Sequence, residues 1–461
     1  MNPFINPIFL SKVIKSYIVD VKRLYKMNSE TLKKFQDKQF RKILEYAYKL
    51  PFYNDLYKKA GIKIKDIQGI NDITKLPFVT KKEISETSPD NLIPPNSHKT
   101  KIIVSYTSGT TGKPVSIFTN IYTIFKESLA HIRTLEEHDI DWRKTRMTII
   151  GDLSENTIDR AYFTDGITKS LTPFFSLNNM QIFDTYDDPE KLIKKINSFQ
   201  PEFIGGYPGM LRQLAYLKRQ GSGKDIWPRC IISTGSVLDK YLKNYIEEAF
   251  DTQVFDSYGA TEPGPMAFQC RCNNYHVHSD LVFLEVIDDN GEPVTPNEPG
   301  HIVVTKLYGE GTPIIRYTGL NDIISLSDES CRCGIVGRVI KKIYGRESQS
   351  LVLPNGLIVL PSTLDEFFSE TYWRFDIENI ERLQIVQHRR DNIEILAVVD
   401  HNLRNNNPSV EKVFTIIREC FKERFGSDIE IKIKEVKNLK PHIAGFISKV
   451  DISKIKKKKY I

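Results

Sequence analysis

No stretch of the 461-residue chain holds the roughly 20 consecutive apolar residues that a helix needs to cross a bilayer. Its opening, MNPFINPIFLSKVIKSYIVD, lacks the basic segment followed by a long apolar run that marks a secretory leader. The sequence therefore predicts no integral membrane segment and a cytoplasmic location, with basic ends that leave a visit to a membrane surface open. Charge of a single sign is missing as well: 65 Lys and Arg residues are interleaved with 58 Asp and Glu residues, for a formal net charge of +7. With no basic face set among aromatics, a nucleic-acid partner is not expected. The closing KIKKKKYI reads as a solvated tail rather than a lipid anchor. Cysteine is scarce, six residues in all, and four of them sit in two CRC triplets at 270–272 and 331–333. In a chain read as cytosolic, Cys and His clustered in this way argue for a metal more than for disulfides.

What is present is the make-up of a large globular protein, 40% hydrophobic and 27% charged. At this length more than one core is expected. Residues 29–49 place Leu32, Phe35, Phe40, Ile43, Leu44 and Ala47 at helical spacing behind Ser29, and LPFYNDLYKKAG predicts a second short helix closed by Gly61. From residue 100, β-rich runs such as MTIIGDL, EFIGGY, RCIISTG and QVFDSYG alternate with helical runs, which predicts an α/β sheet with ligand-binding turns at its strand ends. After residue 280 the strands look antiparallel, with a DDNGEP turn. Beyond Gly345-Arg346 a small α+β unit of about 115 residues follows.

The run VSYTSGTTGKPVSIF (104–118) sets Thr107, Ser108, Thr110 and Thr111 around Gly109 and Gly112 and ends in Lys113-Pro114. A P-loop needs four residues between its Gly and its Gly-Lys, with a helix directly after. Here two residues separate Gly109 from Gly112, Pro114 follows, and VSIF alternates like a strand. The loop offers related chemistry all the same: glycines admit phosphate oxygens to the backbone, hydroxyls donate hydrogen bonds, and Lys113 supplies charge. Taken alone it also reads as a plain turn. Downstream, FDSYGATEPG (255–264) places Glu262 behind Tyr258-Gly259 at the end of a predicted strand. A carboxylate there could hold Mg²⁺ against phosphate oxygens, and the aromatic could lie beside a base; a capped helix start is the plainer alternative.

Together the two motifs resemble the adenylate-forming superfamily of acyl-CoA synthetases, adenylation domains and luciferases. The match is carried by 105–115 and by Tyr258, Gly259, Thr261 and Glu262. Within the superfamily the chain resembles phenylacetate-CoA ligase and its CapK-like, capsule-biosynthesis relatives. LEYAYKLPFYNDLYKKAG with ITKLPFVTKKEI, IGGYPGMLRQLA and NYHVHSDLVFLEVID carry this second likeness, which runs from about residue 30 to the C-terminus.

The resemblance implies an α/β fold with a large multi-sheet N-terminal adenylation domain (1–345), a Cys/His insert around 265–335, and a small mobile α+β C-terminal lid (346–461). It implies an enzyme that activates a carboxylic acid with ATP and Mg²⁺, releases pyrophosphate, and passes the acyl group from acyl-AMP to CoA or an amine, in surface polysaccharide biosynthesis. Thr107, Ser108, Gly109, Thr110, Thr111, Gly112 and Lys113 would handle the phosphates, and Glu262 the Mg²⁺. Gly235 and Ser236 would lie along the adenine, with Tyr258, Gly259 and Thr261 beside the nucleotide. Relatives carry a ribose-binding Asp four residues after the Tyr of an Arg-Tyr pair; IIRYTGLNDII has Asn321 there and Asp322 next, and Asp322 is assigned. Tyr207 and Pro208 would stand near the acyl group, and the polar GDLSENTIDRAYF (151–163) hints at a hydroxylated, amino or sugar-derived acid. Arg346 follows the hinge Gly345. Near the end, Phe446 occupies the place of an expected Gly-Lys, which leaves Lys449, or alternatively Lys440, as the catalytic lysine. A structural Zn²⁺ would be held by Cys270, His276, Cys331 and Cys333, with Cys272 spare. A homodimer stays open. The alternative to an enzyme is a degenerate homologue that binds nucleotide or a partner.

Overall fold

The computed structural model of the protein describes residues 3–94, 102–107, 114–165, 176–401, 403–439, 446–452, 455 and 458–461. Helices open the chain. The first, α1 (Pro7–Asp20), is capped by Asn6, and α2 (Ser29–Ala47) by Asn28 rather than by Ser29. Asn28 and Thr31 exchange side-chain and backbone hydrogen bonds in a capping box, so the helix starts where an acceptor already waits for its free N–H groups. The helix α3 (Pro51–Lys59) stops at Gly61, whose φ of +70° suits a residue without a Cβ. Then α4 (Lys81–Glu86) begins behind Thr80, again through a capping box, with Glu83.

Next comes an isolated hairpin, β1 (Ile102–Tyr106) antiparallel to β2 (Ser116–Asn120). After α5 (Ile121–Glu137), five parallel strands follow: β3 (Met147–Gly151), β4 (Met180–Asp184), β5 (Phe203–Gly206), β6 (Cys230–Thr234) and β7 (Val254–Ala260). Their crossovers include α6 (Pro189–Phe199), α7 (Pro208–Arg219) and α8 (Lys240–Phe250). On α7, Met210, Leu211, Leu214 and Ala215 share one face and bury against Leu192, Ile193 and Ile196 of α6 and Ile246 and Phe250 of α8. Each large side chain so buried stabilises the layer by about 1.5–3 kcal/mol.

The antiparallel strands after residue 260 are not a separate sheet. The chain continues through β8 (Gly264–Gln269), β9 (Tyr275–Val277), β10 (Val282–Ile287), β11 (Gly300–Lys306), β12 (Asp322–Ser327) and β13 (Val339–Arg346), all joined to β7 in one eleven-stranded sheet. The change of sequence pattern marks a change of strand direction within that sheet. The expected turn is present, with Gly291 N donating to Asp288 O at 3.1 Å.

Residues beyond Arg346 build a second core. Strands β14 (Leu351–Val352) and β15 (Ile358–Val359) pair with each other, and α9 (Pro361–Phe375) follows. A four-stranded sheet takes the order β18-β17-β16-β19, from β16 (Ile380–Arg389), β17 (Asn392–Val399), β18 (Glu430–Glu435) and β19 (Phe446–Ser448). Phe367 of α9 and Ile417 and Phe421 of α10 (Val410–Phe425) fill its interior.

The end of the chain is not the solvated tail expected of KIKKKKYI. Ile358 N donates to Lys459 O at 2.8 Å, and Leu360 N to Ile461 O at 3.0 Å. Lys458 ion-pairs with Asp289 at 2.7 Å and Glu347 at 2.8 Å, tying the β10–β11 connection to the segment after β13. Removing residues 458–461 should leave those two carboxylates without their cation and lower the melting temperature by roughly 3–5 °C in a thermal scan.

Candidate active site

The hairpin carries the Ser/Thr/Gly loop. Thr107 N donates to Val115 O at 3.1 Å and Val115 N donates to Thr107 Oγ1 at 3.0 Å, so Thr107 closes the neck from which the loop springs. Ser108, Gly109, Thr110, Thr111, Gly112 and Lys113 lie outside the described residues.

Thr107 opens onto a cleft of about 1120 Å³ that also receives Gly235, Ser236, Tyr258, Gly259, Thr261, Glu262, Asp322, Arg346, Tyr207 and Pro208. These residues come from segments more than two hundred positions apart, and the sheet explains why they meet. The ends of β5, β6 and β7 deliver Tyr207, Gly235 and Tyr258 side by side, where open α/β sheets bind ligands. The β12–β13 pairing sets Asp322 opposite Arg346.

Tyr258 Oη donates to Asp322 Oδ2 at 2.6 Å, and Arg346 Nε lies 3.8 Å from Asp322 Oδ1. Burial holds the Asp322 carboxyl above its ordinary range, while Tyr258 and Arg346 pull it back. Asn321, in the left-handed region at φ +58°, turns its side chain to Gly319 O instead. The one-residue slip in the sequence thus leaves the carboxylate, not the amide, at the Tyr258–Arg346 corner. Glu262, a buried residue of the cleft lining, accepts from Tyr317 Oη at 3.1 Å. Burial raises its pKa, against Tyr317 and the positive charge of Lys81.

Lys81 is a cleft residue that sequence reasoning missed. Sequence reading took in only its place in the ITKLPFVTKKEI likeness; its approach depends on Val79 pairing with Tyr317, with Val79 N donating to Arg316 O at 2.9 Å. Asp256 was missed too. It lines the cleft, accepts from Tyr275 Oη at 2.6 Å, leaves Oδ1 without a partner, and is pushed up to about 7 by burial.

Tyr207 caps α7 and donates from Oη to Asp159 Oδ2 at 2.8 Å. Its ring lies on Gly235, where a Cβ would come within 2.2 Å of Tyr207 Cε1 and where φ is +85°. Gly235→Ala should therefore displace the ring and raise the acid KM at least ~10-fold in a pyrophosphate assay, since a shift of ~1 Å suffices for such losses.

Lys449 does not reach the cleft. Its backbone N donates to Gln387 O at 2.9 Å and its Nζ lies 3.0 Å from His388 Nδ1 on the exposed rim of the small sheet. Phe446, three residues earlier, lines the cleft instead. Lys440 lies outside the described residues.

A second site forms where β8, β9 and the β12–β13 connection meet. One ligand atom each from Cys270, His276, Cys331 and Cys333 lies within 4.8 Å of all the others. Cys270 Sγ and Cys331 Sγ are 3.7 Å apart, Cys333 Sγ and His276 Nε2 3.1 Å. Three thiols and an imidazole in one closed cluster are the donor set of a structural zinc site. Cys272 is exposed and outside it, and Cys230 is buried.

This fold is that of the AMP-binding enzymes. The family model for the AMP-binding enzyme matches residues 54–308 and that for the CapK C-terminal domain residues 351–452, and the chain belongs to this adenylate-forming family, in the CapK and phenylacetate-CoA ligase branch. It is 25% identical over 448 residues to Protein CapK of Staphylococcus aureus, covering 96% of this chain and 93% of that protein. It is 27% identical over 350 residues to phenylacetate-coenzyme A ligase of Thermus thermophilus, covering 73% and 75%. Among solved structures, 2-hydroxyisobutyryl-CoA ligase in the postadenylation state with R3-HIB-AMP superposes with a TM-score of 0.76 at 16% identity, covering 94% of this chain and 92% of that one. The protein is thus an acyl-adenylate-forming ligase by class.

Proposed function

We propose that the cleft binds ATP and a carboxylic acid, joins them as acyl-AMP, and passes the acyl group to CoA or an amine. The observation that supports this most is the meeting of Thr107, Glu262, the Tyr258–Asp322–Arg346 corner and the Tyr207–Gly235 contact in one cleft. In the first step a carboxylate oxygen of the acid bonds to the α-phosphorus, the bond to the bridging oxygen breaks, and pyrophosphate leaves with both its electrons. The 107–113 loop, with Lys113, would cradle the departing phosphates, and Lys81, which lines the cleft, adds charge. Asp322 accepts from the ribose hydroxyls, held in place by Tyr258; Gly235, Ser236, Gly259 and Thr261 line the nucleotide. Tyr207 and Pro208 border the acid.

Glu262 fits a Mg²⁺ ligand: it is a buried carboxylate with only one side-chain donor, Tyr317, among the described residues. The ion would neutralise phosphate charge. The Cys270, His276, Cys331 and Cys333 cluster fits Zn²⁺ in a structural role. A cytoplasmic role in surface polysaccharide biosynthesis is proposed from the sequence resemblance to capsule-biosynthesis relatives; among the described residues no helix is long and apolar enough to cross a membrane.

Pyrophosphate release across a carboxylate panel tests the proposal. Lys113→Ala should reduce it by ~10²–10³-fold, the usual loss when one oxyanion donor goes. Lys449→Ala should change adenylation by less than about twofold, because its ammonium faces His388. A large effect of Lys449→Ala on adenylation would mean that the small domain swings this lysine into the cleft.

A further inference from the structure

The acid end of the cleft is itself acidic. Asp152 directly follows β3 and Tyr186 follows β4, at the C-terminal ends of parallel strands, Asp159 lies in the helical turn Ile158–Arg160 beyond β3, and all three line the cleft. Asp159 Oδ2 accepts from Tyr207 Oη at 2.8 Å and from Asp152 N at 2.9 Å, while Asp152 Oδ1 accepts from Ser154 N at 3.0 Å. Among the described residues neither carboxylate has an ion pair. Nearby Glu127, by contrast, is matched by Lys306 at 2.6 Å. Burial lifts the Asp159 carboxyl above its usual range and the charge of Asp152 adds to the lift. His131 lines the same cleft, and its Nε2 is shut off from solvent without a hydrogen-bond partner. Burial lowers it to about 4, so it is a neutral imidazole. Asp152 and Asp159, which line the cleft with no ion-paired cation among the described residues, form a receptor for one.

We propose that the acid substrate carries an amine, and that Asp159, backed by Asp152, holds its ammonium group while the carboxylate faces the nucleotide. The inference rests on the adenylation reading above. A hydroxyl in that place would leave the carboxylates uncompensated, and an apolar chain would strip more water from them.

The full-length enzyme, with ATP and Mg²⁺, is offered matched acids: alanine, lactate and propionate, then γ-aminobutyrate, γ-hydroxybutyrate and butyrate. The amine member of at least one set should give pyrophosphate with at least a ~10-fold higher kcat/KM than its partners. Asp159→Asn should erase that preference through KM while the Kd for ATP, measured without acid, stays unchanged. Should this variant fold poorly, Tyr207→Phe, which removes only the hydroxyl on Asp159, should weaken the preference in the same direction. Equal or faster turnover of a hydroxy or plain acid overturns the inference and leaves adenylation standing, as does a preference that survives Asp159→Asn. Silence with every acid overturns the adenylation reading itself.

A separate surface carries a second inference. The inner side of α1 packs through Phe9 and Val13, with Phe4, against Tyr122 and Phe125. Its outer side is also apolar, with Ile8, Leu10, Ile14, Ile18 and Val19 exposed by 80, 39, 49, 63 and 45%. A helix apolar all round is a buried one, so this face lacks its cover. Of the five cations in residues 3–28, Arg23 pairs with Asp20 and Asp280 and Lys22 with Glu136, which leaves Lys12, Lys15 and Lys26 exposed, while the one acid, Asp20, is buried against Arg23 and Lys126. One face of a 14-residue helix falls short of the ~800 Å² per partner of a stable dimer, whereas an anionic lipid surface suits both the apolar stripe and the charge. We infer that α1 lies on anionic lipid headgroups. Flotation with phosphatidylglycerol-containing vesicles should carry the protein upward at low salt and fail with phosphatidylcholine alone. Ile14→Asp with Ile18→Asp should abolish flotation and spare adenylation in solution. No flotation, or a dimer in light scattering that the same substitutions dissolve, overturns it.

Discussion

Glu262→Gln is expected to cut pyrophosphate release by ~10²–10³-fold, with the protein still folded. The amide has the shape of the carboxylate and can still accept from Tyr317, whose 3.1 Å bond anchors the side chain. What is lost is charge, at a position where burial makes charge costly to hold and therefore unexpected without a purpose. The loss should fall mainly on kcat, because phosphate charge develops as the bond to pyrophosphate breaks. Raising Mg²⁺ should recover part of it. Steady-state pyrophosphate assays at several Mg²⁺ concentrations read both effects, and unchanged kcat would place the metal-holding carboxylate elsewhere.

The second large effect is on folding. Chelation, or Cys333→Ser, should lower the melting temperature by more than ~5 °C and release close to one Zn²⁺ per chain in elemental analysis. The cluster has little else to hold it. β9 is only three residues long, and Cys270 packs in a small core with Leu24, Leu32, Phe268 and Ile335 that joins the first helices to the insert. Losing the metal would leave buried His276 and Cys270, with half-buried Cys331 and Cys333 beside them, without a cation to bind. Cys272→Ser, at an exposed position outside the cluster, should change neither quantity. Metal-free protein with the same melting temperature would make these thiols ordinary core residues.

Much of the site was legible because its residues sit in short motifs at strand ends. Tyr258, Gly259 and Glu262 share one strand end, and Gly235-Ser236 another, so local pattern sufficed. Lys81 was not legible as a cleft residue, and Asp159 only as part of the polar 151–163 run, since their positions depend on pairings that no local spacing reveals: Val79 with Tyr317, and Tyr207 with Asp159. Whether the antiparallel strands continue the parallel sheet was left open by the sequence for a related reason. Strand direction reverses between β7 and β8, and the change in hydrophobic pattern there looks the same as a change of sheet. The lysine-rich end misled in the opposite sense, since composition spoke for solvent while Lys458 found Asp289 and Glu347. Asp322 shows the value of geometry over register: the motif spacing favoured Asn321, and the strand start turned the carboxylate toward Tyr258.

Trapping the intermediate tests the central claim most directly. Enzyme, ATP, Mg²⁺ and a pool of carboxylic acids, quenched in acid and read by mass spectrometry, should yield an acyl-AMP adduct and isotope exchange between pyrophosphate and ATP, both lost in Glu262→Gln. Nucleotide binding with neither adduct nor exchange for any acid would contradict the account and leave a nucleotide-binding module in place of a ligase.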